Sequence, residues 1–251
     1  MHNPDQQRQI FRMTGADRSA FLQGLITNDM TRLADGPVYA ALLTPQGKYL
    51  ADFFLIEESD TTILLDVAAP LAPPLYKRLS MYRLRADVTI AETDLQVYRG
   101  TGPAPAGAHP DPRHPDLGWR VYGPEGGDDG TDWAALRVAL IVPESGVELI
   151  PEDSFILEAG FERLHGVDFR KGCYVGQEVT ARMKHKTTLK KGLIRVAIQG
   201  AAPIGTPILT EDGKPAGTLF TQSGGQALAH MRFDRMDGPL TAATARITGA
   251  A

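Results

Sequence analysis

One cysteine occurs in 251 residues, Cys173, and the residues around it are those whose types could do chemistry. It lies in Lys171-Gly172-Cys173-Tyr174-Val175-Gly176-Gln177-Glu178, directly after the cations Arg170 and Lys171. A thiol reacts as its thiolate, and neighbouring cations or helix N-terminal N–H groups favour that form. Val175, Val179 and Met183 recur at fours, which predicts a helix with Cys173 at its N-terminus. Tyr174, Glu178 and Arg182 then fall at i, i+4 and i+8, so Glu178 and Arg182 are spaced to pair. An inert buried thiol is the commoner fate of a lone cysteine, and the flanking glycines and charges weigh against it. Cys173 and Lys171 are the candidate catalytic residues.

Composition narrows the classes around that motif. Hydrophobic residues make up 43% and charged residues 22%, as in ordinary globular proteins. A net charge of −4 argues against generic nucleic-acid binding. One cysteine leaves no internal disulfide framework and no self-sufficient thiolate metal site, which points to a reducing compartment. Met1 to Gln9 is polar, without the apolar run of a signal peptide, and the apolar stretches are too short to span a bilayer. A cytoplasmic, monomeric protein is the expectation.

The elements that must position the motif follow from periodicity and turn chemistry. Strands are predicted at Ile10–Met13, Tyr39–Leu43, Leu50–Ile56, Thr62–Val67 and Ala86–Ile90, with a turn at Thr44-Pro45-Gln46-Gly47-Lys48. One helix opens after Thr14-Gly15-Ala16-Asp17, and another from Pro73 ends near Tyr82 with Leu75, Leu79 and Tyr82 inward. That order is a β-α-β-β-α-β unit with an extra strand. A second unit begins near Leu95, is interrupted by a Pro/Gly/Ala-rich surface loop at Thr101–Asp116, and resumes with a strand at Trp119–Tyr122. Asp132 caps a helix carrying Trp133, Leu136 and Leu140, and a further helix is expected from Asp153 to about Leu164. From Leu189 short strands alternate with Gly-containing corners, the pattern of a small barrel.

The octapeptide, continued by Val179-Thr180-Ala181-Arg182, resembles the signature of the folate-binding YgfZ family, which is related to the aminomethyltransferase (T-protein) of the glycine cleavage system. Phe21–Asp29, Leu43–Lys48, Met81-Tyr82-Arg83-Leu84-Arg85, Gly217-Thr218 and Ala227–Arg232 resemble its other motifs in order. The resemblance implies an α+β cloverleaf: two ferredoxin-like α/β units, residues 1–92 and 93–188, then a β-barrel at 189–251. It implies tetrahydrofolate, or a one-carbon derivative, as cofactor. Asp52 falls where the superfamily places a carboxylate facing the pterin, and Trp133 matches a tryptophan close to folate. From pattern alone, Asp52 is equally compatible with a solvated strand carboxylate and Trp133 with a core aromatic. Tyr174, Gln177, Glu178 and Arg182 are further cofactor-side candidates. Where the family often has Glu-Ala-Gly-Ile-Pro, this chain has Ala139-Leu140-Ile141-Val142-Pro143 and so lacks a carboxylate.

The resemblance implies a folate-dependent accessory factor for iron–sulfur cluster assembly or repair, working with assembly proteins or client enzymes and without membrane or nucleic acid. The alternative is a folate-dependent aminomethyltransferase, so enzyme status stays open. A cysteine hydrolase would need an oriented histidine, and neither His165 nor His185 has a recognisable partner in sequence. The run Arg182-Met183-Lys184-His185-Lys186 with Lys190-Lys191 suits a solvated face better than an RNA site, having no interleaved aromatics.

Overall fold

The computed structural model describes residues 7–186 and 188–250, so the first six residues of the polar start lie outside the described residues. Strands β1 (Arg8–Thr14), β2 (Val38–Leu43), β3 (Tyr49–Ser59), β4 (Thr62–Ala68) and β5 (Thr89–Glu92) form one antiparallel sheet in the order β2-β3-β4-β1-β5. Helices α1 (Arg18–Gln23) and α2 (Ala72–Arg83) supply its crossovers. All of β2 is buried, which is why its sequence is an unbroken apolar run rather than an alternation. In α2, Leu75 and Leu79 are buried as expected, but Tyr82 is only half-buried.

A second sheet of β6 (Gln96–Gly100), β7 (His109–Pro110), β8 (Trp119–Gly123) and β9 (Gly127–Asp128) has the order β7-β8-β6-β9. Then come α3 (Trp133–Leu140), α4 (Gln177–Lys186) and a closed barrel of β10 (Lys191–Gln199), β11 (Pro207–Thr210), β12 (Pro215–Ser223), β13 (Gln226–Arg232), β14 (Leu240–Ala242) and β15 (Ala245–Ala250). The architecture is α+β with a C-terminal barrel, as expected. Two compact units emerge: one runs to Thr131 and takes in Phe161–Val179, and the other comprises Asp132–Gly160 and the chain from Thr180. The helix expected from Asp153 to Leu164 does not form; turns occupy that stretch, and Gly160 inside it holds a left-handed φ of 82°, which an α-helix cannot contain.

In the first unit, the two sheets are joined by buried charge. Asp66 on β4 accepts from Arg8 Nε at 2.5 Å, Arg120 Nη1 at 2.7 Å and the Tyr122 hydroxyl at 2.9 Å. Arg120 on β8 also donates to Asp111 at 2.9 Å, and Asp111 holds Arg113 bidentately at 2.9 and 2.8 Å. The Arg120 and Arg113 guanidinium carbons lie 3.4 and 4.8 Å from the Phe54 ring centroid. Asp111 and Arg113 come from the loop expected to lie wholly on the surface, yet Asp111 is buried and Arg113 nearly so. Burial alone would raise both carboxyls, but Arg8 and Arg120 hold Asp66 below the usual range, and Arg113 and Arg120 hold Asp111 well below it.

In the second unit, Arg137 on α3 donates to Glu148 at 3.0 Å and to Thr221 Oγ1 at 3.0 Å, and the Thr221 hydroxyl donates to Glu148 at 2.5 Å. This ties α3 to β12.

Removing one member of a buried ion network leaves a charge uncompensated. Arg120→Met should therefore cost about 3–5 kcal/mol in urea unfolding. Because Asp66 and Asp111 are depressed in the folded state, their stabilisation is complete above the unfolded carboxyl value of about 3.9 and is lost as pH falls through the lower folded values. The urea midpoint should drop below about pH 4, and less steeply in Asp111→Asn; equal slopes would remove Asp111 from the network.

Candidate functional site

Two stretches singled out in the sequence, 21–29 and 43–48, hold the cysteine motif and the residues leading into it, at three places. The first is Thr27-Asn28. The Thr27 hydroxyl donates to the Gly166 carbonyl at 2.7 Å and accepts from the Ala41 N–H at 2.8 Å. Asn28 Nδ2 donates to the carbonyls of Tyr39 at 2.8 Å and His165 at 2.7 Å. The Asp168 N–H returns a bond to the Thr27 carbonyl at 3.0 Å. Buried backbone groups outside a sheet need side-chain partners, and these two polar residues supply them to residues 165–168.

The second is the β2–β3 turn. Gly47 and Gly176 both hold left-handed φ, at 76° and 84°. A Cβ on Gly176 would lie 2.6 Å from the Thr44 carbonyl oxygen, and one on Gly47 would lie 2.8 Å from Val179 Cβ. Only glycine permits both the φ and this approach.

The third is the end of α1. Lys171 Nζ donates to the carbonyls of Gln23 at 2.7 Å and Ile26 at 2.5 Å, and lies 4.9 Å from the Tyr174 ring centroid. Burial lowers the Lys171 ammonium to about 8, against the opposing pull of Asp29 and Asp168. Lys171 and Tyr174 are thus buried pins, and Gly172 and Cys173 stand exposed between them.

This corrects the expected local structure. Helix α4 starts at Gln177, after left-handed Gly176, so Cys173 does not sit at a helix N-terminus. The dipole effect fades within the first turn and cannot be invoked for a residue ahead of it. Lys171 spends its ammonium on two carbonyls and positions the loop. Val175, Val179 and Met183 are half-buried rather than a buried stripe. Gln177 is half-buried, Glu178 and Arg182 are exposed, and those two make no ion pair with each other among the described residues.

Asp52 lies buried on β3, opposite Ala41, with 3% exposure. Its carboxylate accepts from Tyr49 at 2.6 Å and Tyr39 at 2.9 Å. Burial first, then the Asp52 charge, hold the Tyr39 hydroxyl protonated well above its ordinary range, so it remains a donor. Sequence reasoning missed both phenols; their signal was a pair of tyrosines on the two arms of the hairpin that carries the acid. Trp133 lies in the second unit as the first residue of α3, buried, with Asp132 capping the helix by accepting from Ala135 N–H at 2.9 Å. Ile141, at the family's glycine position, adopts left-handed φ of 55° to end that helix.

Comparison with known proteins adds three findings. Residues 190–250 match the family described as CAF17, C-terminal beta-barrel domain. The human iron-sulfur cluster assembly factor IBA57, mitochondrial, is 30% identical over 93% of this chain and 78% of its own length. The Mycosarcoma maydis homolog is 32% identical over 80% of this chain, which spans 57% of that relative's length. In fold, the chain is similar to glycine cleavage system aminomethyltransferase T from Bartonella henselae, with a TM-score of 0.74 over 96% of this chain and 83% of that one, at 12% identity. These relatives overturn the cytoplasmic expectation: they are mitochondrial by name. A lone thiol points to a reducing compartment but does not select among such compartments.

The loop geometry makes a pH prediction. With Lys171 lowered to about 8 when folded and near 10.4 when unfolded, the unfolded chain binds more protons between those values, so stability rises with pH across that window. Lys171→Met should lack the rise, read by denaturant unfolding at pH 7.5 and 10. Parallel curves for the two proteins would mean the ammonium titrates normally. Gly176→Ala should cost more than about 1 kcal/mol in the same assay.

Proposed function

The chain belongs to the CAF17/IBA57 family of iron–sulfur cluster assembly factors, and from that premise we propose that it acts in cluster assembly or repair through the Cys173 thiolate. The observation that carries this reading is the exposure of Cys173 between two buried pins, Lys171 and Tyr174, on a loop held by residues 21–29 and 43–48. Of the other octapeptide residues, Lys171 satisfies backbone carbonyls, Tyr174 is buried, Gly176 permits close approach, and Glu178 is exposed on α4. The cluster is cargo. One cysteine supplies at most one ligand to it, the thiol losing its proton to solvent as the thiolate–iron bond forms. Among the described residues no group of three His, Cys, Asp or Glu is placed to hold a metal ion. The remaining ligands in this mechanism come from an assembly partner, a client protein or a small thiol, which suits transient handling.

Within this family we read the chain as similar to the folate-binding YgfZ branch, with tetrahydrofolate as cofactor. The residues fit a pterin. A buried carboxylate held by two phenols is the kind of acceptor that suits the ring N–H and amino donors of a pterin edge. Bound folate supplies a one-carbon carrier; the chain's part is to accept those donors at Asp52 and fix the carboxylate plane with Tyr39 and Tyr49. The likeness to an aminomethyltransferase is one of fold, and no residue of the site favours transferase chemistry over the accessory role.

Cys173→Ala should abolish support of iron–sulfur enzymes in a strain lacking the protein while leaving the thermal midpoint unchanged, since the thiol is exposed. Full support from that variant would sink the thiolate mechanism. Asp52→Asn should weaken tetrahydrofolate binding by about 1.5–3 kcal/mol, roughly 10- to 150-fold, in a fluorescence titration. Unchanged affinity would take Asp52 out of the folate site.

A further inference from the structure

Leu84 follows the last residue of α2, is 88% exposed, and has φ 44° and ψ −105°. The Ala86 N–H donates to the Arg83 carbonyl at 2.8 Å, so residues 83–86 form a β-turn with Leu84 at its second position. Positive φ with strongly negative ψ there makes the turn type II′, the place where glycine is at home and a leucine is strained. An isolated exposed leucine needs no explanation. One held in a glycine conformation, with its side chain in water, does.

The surroundings over-determine the turn. Arg83 donates to the Val88 carbonyl at 3.3 Å, Asp87 Oδ2 accepts from the Ala16 N–H at 3.0 Å, and Asp17 accepts from the Asp87 N–H at 2.8 Å. Lys77 and Met81 share one face of α2 at i and i+4, with Met81 63% exposed, and Leu84 follows just past the helix end. Val67 to Ala86 contains Lys77, Arg78, Arg83 and Arg85 and no carboxylate, in a chain whose net charge is −4.

We propose that Leu84 and Met81, flanked by Lys77 and Arg85, form a docking surface for a partner protein whose receiving groove is apolar and rimmed with carboxylates. Charge selects that occupant. A symmetric second copy would set the same cations against each other, which is repulsive. Two exposed apolar side chains at a helix end give too little buried area for a membrane-surface helix.

The test uses two arms. Leu84→Gly relieves the backbone while deleting the anchor, so its thermal midpoint should rise by about 2–4 °C while its support of iron–sulfur enzymes falls about tenfold, the loss of one anchoring contact. A lowered midpoint, or full support, would overturn the proposal. In the second arm, a benzophenone amino acid at position 84 is photolysed in cells. The expected product joins the chain to a different protein, through a peptide whose apolar residues are flanked by Asp or Glu, and is lost in Lys77→Glu/Arg85→Glu. Crosslinks only to a second copy, only to lipid, or to nothing would overturn it. The support arm rests on the function proposed above; the crosslink does not, and should persist in Cys173→Ala, so the two readings fail separately.

Discussion

Asp66 is the group on which the first unit depends. It has a side-chain exposure of 0% and receives two guanidiniums and a phenol from β1 and β8, one strand of each sheet. Desolvating a carboxylate is expensive, and the charge survives inside only because Arg8 and Arg120 close on it, with Arg120 passing the compensation to Asp111 and so to Arg113. Such a network adds little net stability over a well-packed apolar core, but it tolerates few alternative arrangements, since each leaves a buried charge unpaired. It also stacks Arg120 and Arg113 on Phe54, whose neighbour across the β2–β3 pair is Tyr39. Tyr39 orients Asp52, so the candidate ligand carboxylate inherits its position from charges elsewhere in the same unit.

The motifs around the thiol are explained largely by backbone bookkeeping. Thr27, Asn28 and Lys171 serve the main chain, donating to the carbonyls of Gly166, Tyr39, His165, Gln23 and Ile26. Gly47 and Gly176 serve close approach. A string of polar and glycine residues that reads as chemistry is mostly the means of holding a non-repetitive loop rigid. In the loop ahead of α4, what remains once those roles are assigned is the pair Gly172-Cys173, which meets solvent, and that exposure is the sharper argument for a functional thiol.

The strands of the first sheet, the β2–β3 turn, the Asp132 cap and the barrel were legible in sequence because each is decided locally, by periodicity, turn residues or a cap. The buried loop network was not. Asp111 and Arg113 sit among prolines and glycines, which mark irregular backbone but do not say whether that backbone is covered. Their burial is set by Arg120 and Asp66, residues far away in the chain. The false helix at Asp153–Leu164 and the misplaced start of α4 share one cause. Apolar spacing alone cannot reveal left-handed φ at Gly160 or Gly176, and each such residue interrupts a helix.

Leu84 is the clearest conflict between local preference and sequence in the first unit. Natural sequences tend to agree with their backbone at every level, so a residue that strains its turn and leaves its side chain in water marks a demand from outside the fold. Ile141 also holds positive φ, but it is half-buried and belongs to the cluster around Val138, Phe220 and Leu228, so packing accounts for it. Leu84 has no such compensation on its own surface, being the most exposed large apolar side chain among the described residues. The same strain that would be relieved by glycine is retained at the end of a carboxylate-free, cationic stretch, and it is this coincidence of strain, exposure and charge that separates a docking anchor from an ordinary surface leucine.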